Sequence, residues 1–228
     1  MTVPSKRPKR IGLLLPSSNT VVEPEAARLI PQDGSVTLHF SRFRVTVISN
    51  EEASLRQFAS DAMLEAALLL ADARVDRIAW AGTAASWLGI ERDLSLVRTI
   101  ERRTGIPTTS AVIAINAHLR QLGARRIGLV TPYIADLESR IIENYRQAGI
   151  DVVEARRLDL TVNTAFAEVQ ESKIESMVRS VAAHSPDAIV IMCTNLRFGV
   201  RSRALASSLG VPVLDSVSET VASCLSEA

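Results

Sequence analysis

Along the 228-residue chain, short apolar runs rich in Ile, Val and Leu alternate with longer amphipathic stretches. That alternation is the β-α-β-α pattern of a parallel sheet. It predicts strands over Ile11–Leu15, Val36–Val45, Arg77–Ala81, Pro107–Thr109, Ile127–Thr131, Asp151–Leu158, Ala188–Met192 and Val211–Leu214. Helices are predicted over Glu23–Leu29, Leu55–Ala73, Ser95–Thr104, Ala111–Leu122, Asp136–Ala148, Phe166–His184, Val200–Leu209 and Glu219–Glu227. Several of these carry stop signals: Gly105 then Pro107, Gly123, Gly149, and Gly210 then Pro212.

Three short segments recur in order at about half the chain length. Arg10-Ile11-Gly12-Leu13-Leu14-Leu15-Pro16 returns as Arg126-Ile127-Gly128-Leu129-Val130-Thr131-Pro132, and Gly105-Ile106-Pro107 returns as Gly210-Val211-Pro212. Asp76 to Thr83 returns as Asp187 to Thr194, with Gly82 in one copy where Cys193 stands in the other. The repeat predicts two pseudo-symmetric, Rossmann-like (flavodoxin-like) α/β halves whose parallel sheets face a shared cleft. The first half spans 1–112 and the second 113–212, with residues 213–228, the last strand and helix, expected to return to the first half. No linker or low-complexity stretch separates the halves, so they are expected to move as one body.

Composition narrows the classes. At 47% hydrophobic and 22% charged, the chain is neither disordered nor fibrous. Lys+Arg 26 against Asp+Glu 25 argues against a broad nucleic-acid footprint. Lys6 to Arg10 reads as a solvated N-terminal arm. His39, His118 and His184 are scattered, and Cys193 and Cys224 lack metal-ligand spacing, so no metal is expected. The basic start lacks a following apolar stretch, and the apolar runs fall short of the ~20 residues of a membrane helix. The expectation is a cytoplasmic protein without membrane contact, in a compartment that keeps a thiol reduced.

The polar residues that could do chemistry sit at strand ends. Pro16-Ser17-Ser18-Asn19-Thr20 offers N–H groups and short polar side chains suited to a carboxylate; alternatively, one of these residues merely caps the next helix. Gly82-Thr83 allows close backbone approach with oxyanion donors, or forms only a tight turn. Tyr133 either points its hydroxyl into the cleft or packs as a half-buried ring. Cys193 precedes a predicted helix, which would lower its pKa and ready it for proton transfer or attack. Cys224 reads as an inert small hydrophobe.

Together these motifs resemble the cofactor-independent aspartate/glutamate racemase superfamily, in its branch of maleate isomerases and arylmalonate decarboxylases. Arg10-Ile11-Gly12 through Asn19, Val130 through Tyr133, Asn163-Thr164 and Asp187-Ala188 through Cys193 look like maleate isomerase. Gly82-Thr83, Thr104 through Thr109 and Thr131 through Asp136 look like arylmalonate decarboxylase. The isomerases carry a nucleophilic cysteine at the position of Gly82; the decarboxylase has glycine there and keeps only the second cysteine. Ala84 departs from the decarboxylase, which has a hydroxyl residue at that position. The resemblance implies a decarboxylase of a substituted malonate that needs no cofactor, with an isomerase or racemase acting on a small dicarboxylate as the alternative and a non-catalytic dicarboxylate binder as a further one. By this mapping Cys193, Gly82 and Tyr133 form the catalytic set. Pro16, Ser17, Asn19, Thr83, Ala84, Thr194, Asn163, Val45 and Ile48 would contact substrate, the last three including the two apolar wall candidates Val45 and Ile48. With aromatic content at 4%, an aryl pocket is expected to be largely aliphatic. A homo-oligomer is left open.

Overall fold

A computed structural model describes residues 7–49, 51, 52, 54, 57, 58 and 60–226. The first sheet contains β1 (Lys9–Pro16), β2 (Val36–Phe43), β3 (Arg77–Trp80) and β4 (Thr108–Ser110), in the order β2-β1-β3-β4. The second contains β5 (Arg126–Thr131), β6 (Asp151–Arg157), β7 (Ala188–Ile191) and β8 (Val213–Asp215), in the order β6-β5-β7-β8. All pairings within both sheets are parallel. The repeat is therefore structural, and one detail shows its cause. Asp76 accepts from the backbone N–H of Arg10 at 2.8 Å, and Asp187 accepts from that of Arg126 at 2.8 Å. Each aspartate pins the start of the central strand of its own sheet.

The helices are α1 (Val22–Leu29), α2 (Ser60–Asp72), α3 (Ala85–Leu88), α4 (Ile90–Thr104), α5 (Ala111–Leu122), α6 (Ala135–Gln147), α7 (Asn163–Ala167), α8 (Glu171–Ala182), α9 (Gly199–Leu209) and α10 (Ser216–Leu225). Gly105 and Gly210 close α4 and α9 with φ of 70° and 68°, the left-handed conformation that glycine adopts without strain. One buried cluster runs from α2 through β3 to both faces of the second sheet; a smaller one fills the space between the first sheet, α1 and α10. No helix among the described residues is long and apolar enough to cross a membrane.

Three expectations change. The final strand does not return to the first half: β8 pairs with β7, Val213 opposite Ile189, as the far edge of the second sheet. Only the helix returns, α10 packing on α1, α5 and the ends of β3 and β4. The predicted helix Phe166–His184 is two helices, because an extended Gln170 breaks it. The break lets Phe166 turn into the core, fully buried, while α8 buries Ile174, Val178 and Val181 elsewhere. The helix predicted from Ser95 begins at Ile90, preceded by the unpredicted α3, with Gly89 at φ 100° between them. Lys6, Leu55, Arg56, Ala59 and Glu227, included in predicted segments, lie outside the described residues.

Candidate active site

Residues at the ends of β1, β3, β5 and β7 meet around a small cavity of about 20 Å³. That is room for about one water molecule. Of the residues expected to form the site, Pro16, Asn19, Ile48, Gly82, Thr83, Ala84, Tyr133, Asn163, Cys193 and Thr194 line it. Ser17 and Val45 do not. The Ser17 hydroxyl and the Val45 backbone bond to each other, at 3.3 Å to the carbonyl and 3.2 Å from the N–H, which commits both to joining two strand ends. Arg42 faces away from the cavity, donating to the carbonyls of Ser17 and Asn19 and pairing with Glu23; Arg44 is exposed.

Cys193 is 3% exposed and its sulfur accepts from the Asn195 N–H at 3.3 Å. Burial pushes the thiol up to about 12; the Asn195 N–H and the Tyr133 hydroxyl pull it down, and nearby Asp215 adds to the rise. The expectation of a lowered pKa is thus reversed. A turn follows Cys193 and α9 begins only at Gly199, so no helix terminus abuts the sulfur. At neutral pH the site holds a thiol, an acid with a proton to give.

The Tyr133 hydroxyl lies 2.6 Å from the Thr83 hydroxyl. Its ring is fully buried, in an edge-to-face series Phe58–Trp87–Tyr133–Phe166 with centroids 6.3, 4.6 and 5.8 Å apart. Both readings of Tyr133 therefore hold: a packed ring and a hydroxyl at the cavity. Asn19 is engaged on two sides. Its Oδ1 accepts from the N–H groups of Val21 and Val22, capping α1, while its Nδ2 donates to Thr194 Oγ1 at 3.2 Å. Thr194 in turn donates to the Ala81 carbonyl at 3.0 Å. The backbone N–H groups of Thr83, Ala84, Cys193 and Thr194 donate to no acceptor among the described residues. Buried donors left unmatched beside a cavity are suited to an anionic guest.

The two halves are laced together here. Asn195 donates to the Asn163 carbonyl at 2.6 Å and accepts from the Thr20 N–H at 3.1 Å; Asn163 donates to Ser18 at 2.8 Å. Val47 pairs with Val162, and Ile48 donates to the Thr161 carbonyl, so the chain after β2 closes over the cavity.

The family model for arylmalonate decarboxylase matches residues 11–227. The chain belongs to that family. It is 28% identical over 226 residues to the maleate isomerase of Geobacillus stearothermophilus, covering 93% of this chain and 88% of that one. To the arylmalonate decarboxylase of Bordetella bronchiseptica it is 26% identical over 209 residues, covering 90% and 85%. The crystal structure of a cysteine-to-alanine variant of maleate isomerase from Pseudomonas putida S16, solved with maleate, superposes with a TM-score of 0.81 at 27% identity, covering 95% and 90%. The arylmalonate decarboxylase family thus includes enzymes of both kinds.

Within this member of the arylmalonate decarboxylase family, sequence reasoning missed Phe58, Trp80, Trp87 and Asn195, all of which line the cavity. Asn195 had a signal, since it lies two residues beyond Cys193 and directly follows the repeated segment Asp187 to Thr194. Trp80 also had one: on an extended strand, positions two apart share a face, so Trp80 shares a face with residue 82. A carbon added as Cβ on Gly82 would lie 2.1 Å from Cζ2 and 2.3 Å from Cη2 of Trp80. The expectation of an aliphatic pocket is corrected as well: four of the nine aromatic side chains of the protein line this one cavity.

Proposed function

We propose that this chain is a decarboxylase of a substituted malonate that needs no cofactor, with Cys193 as the acid that protonates the intermediate. The observation that supports it most is the state of the thiol. Cys193 is the one cysteine at the cavity, held neutral by burial, and the position related to it by the repeat is a glycine.

When the cavity opens to admit the diacid, one carboxylate meets the unmatched N–H groups of the β3 and β7 ends and the Thr83–Tyr133 hydroxyls. The other carboxylate is left against Ile48, Phe58 and Trp80, where losing its charge relieves its poor solvation. Breaking the carbon–carbon bond releases CO₂ and leaves the bonding pair in an enediolate, whose charge the donors stabilise as it forms. Such a carbon is a far stronger base than a thiolate, so the Cys193 S–H gives it a proton despite the raised pKa. The thiolate regains its proton from water. Where the malonate carbon carries two different side groups, delivery from one side makes the product of one hand.

The maleate isomerase relatives support a second reading, cis–trans isomerisation of a small unsaturated diacid. It would require covalent addition to the alkene carbon, and residue 82 offers no nucleophile for that step. Purified protein is to be supplied with methylmalonate, phenylmalonate and maleate, following CO₂ release and fumarate separately. CO₂ release that is lost on Cys193→Ala is the expected result. Fumarate formed from maleate with neither malonate consumed would overturn the decarboxylase reading in favour of the second.

A further inference from the structure

The indole of Trp80 does more than line the cavity. It occupies the space that any side chain on residue 82 would need, as the 2.1 and 2.3 Å approaches of its six-membered ring show. It is also fixed there. Trp80 lies in β3 between Leu14 of β1 and Ser110 of β4, is 2% exposed, and packs on Phe43 with centroids 5.2 Å apart. Behind it lies a second chamber of about 230 Å³, whose lining shares Trp80, Phe58 and Ala84 with the small cavity and continues to Met63, Leu88 and Leu96. Trp80 is thus a partition: about 20 Å³ on the side of Cys193 and ten times that on the other.

We propose that Trp80 is the specificity-determining residue of this site. It replaces a second reactive side chain by an aromatic wall, and by closing off the chamber it restricts the substrate to malonates with a small aliphatic side group. The proposal rests on the decarboxylase reading for the substrate's identity, but the placement of Trp80 is testable without turnover. A strand-borne indole cannot yield to a thiol two residues away without displacing its packed neighbours, since the misfit is in the core and not at a flexible end. Opening the partition would instead let a ring-bearing side group enter the chamber.

The experiment uses the full chain, Gly82→Cys, Trp80→Leu and the double variant, with Trp80→Phe as a milder second background. Gly82→Cys alone is expected to lower Tm by about 3–10 °C, and to lower it by no more than about 2 °C when added to Trp80→Leu. Equal losses in both backgrounds would overturn the steric claim. Specificity is read first by binding, as the rise in Tm given by methylmalonate and by phenylmalonate. The wild-type chain is expected to respond to methylmalonate alone, and Trp80→Leu to both. If catalysis is seen, the ratio of kcat/KM for phenylmalonate over methylmalonate should rise at least about tenfold in Trp80→Leu. Phenylmalonate bound by wild type as well as by Trp80→Leu would overturn the specificity claim. If Trp80→Leu fails to fold, the same comparisons are made with Trp80→Phe. A coupled Tm cycle with no malonate turned over by any variant would leave the place of Trp80 intact and remove the decarboxylase reading.

Discussion

Raising the pH tests the proton held by Cys193. An ordinary thiol of this kind titrates at 9.0, and burial moves Cys193 to about 12. Alkylation by iodoacetamide consumes only thiolate, so its rate follows the ionised fraction. Between pH 8 and pH 10 that fraction rises about 100-fold for a group titrating near 12, but only about tenfold for one titrating at 9. The absolute rate also contains the chance that the reagent reaches the sulfur, since Cys193 is 3% exposed. The slope with pH does not contain it, provided the fold is unchanged over this range, which far-UV circular dichroism checks. Mass mapping of the alkylated peptides separates Cys193 from Cys224, which is fully buried on α10. A log-linear climb to pH 10 is expected. A rate that levels off at or below pH 9 would mean that the site holds a thiolate, and the assignment of Cys193 as acid would fall.

Removing either hydroxyl of the Thr83–Tyr133 pair, by Thr83→Val or Tyr133→Phe, should lower kcat about 10–10³-fold, and the double variant should cost less than the product because each orients the other; independent effects in steady-state kinetics would refute the pairing. Asn195→Leu should leave the Asn163 carbonyl and the Thr20 N–H without their partners and lower Tm by several degrees, together with activity, since its side chain ties Thr20 of the first half to Asn163 of the second; an unchanged melting curve would count against that role. Asp215, buried at the start of α10 and facing Glu25 and Glu219, is raised from 3.8 to about 7. Because the folded state holds this proton more tightly, its contribution to stability is complete below pH 3.8 and lost as pH rises through about 7. Asp215→Asn, which keeps an oxygen for the N–H groups of Val217 and Ser218, should flatten urea-unfolding stability across that window; an unaltered pH profile would refute it.

The strand ends were legible because the repeat marks them twice: Asp76 and Asp187 stand at matched places and make matched bonds. Ten of the twelve expected site residues reach the cavity for that reason. What the local pattern does not carry is the order of strands in a sheet. Val213–Asp215 is equally apolar at either edge, and only tertiary pairing sends it to β7. The protonation of Cys193 was misread because its helix was assumed to follow directly, whereas burial, a property of the whole fold, outweighs the local N–H groups. Aromatic content was misread as an average, although Phe58, Trp80, Trp87 and Tyr133 converge in space. Phe58 had no signal at all, since it lies in no repeated segment and at no predicted strand end.

Both tryptophans of the protein stand at the same small cavity, and there are no others. Their emission is consequently an intrinsic spectroscopic reporter of that one place, uncontaminated by indoles elsewhere. Arrival of a colourless diacid can be titrated by fluorescence on unlabelled material, and stopped-flow mixing would time the opening that must precede it.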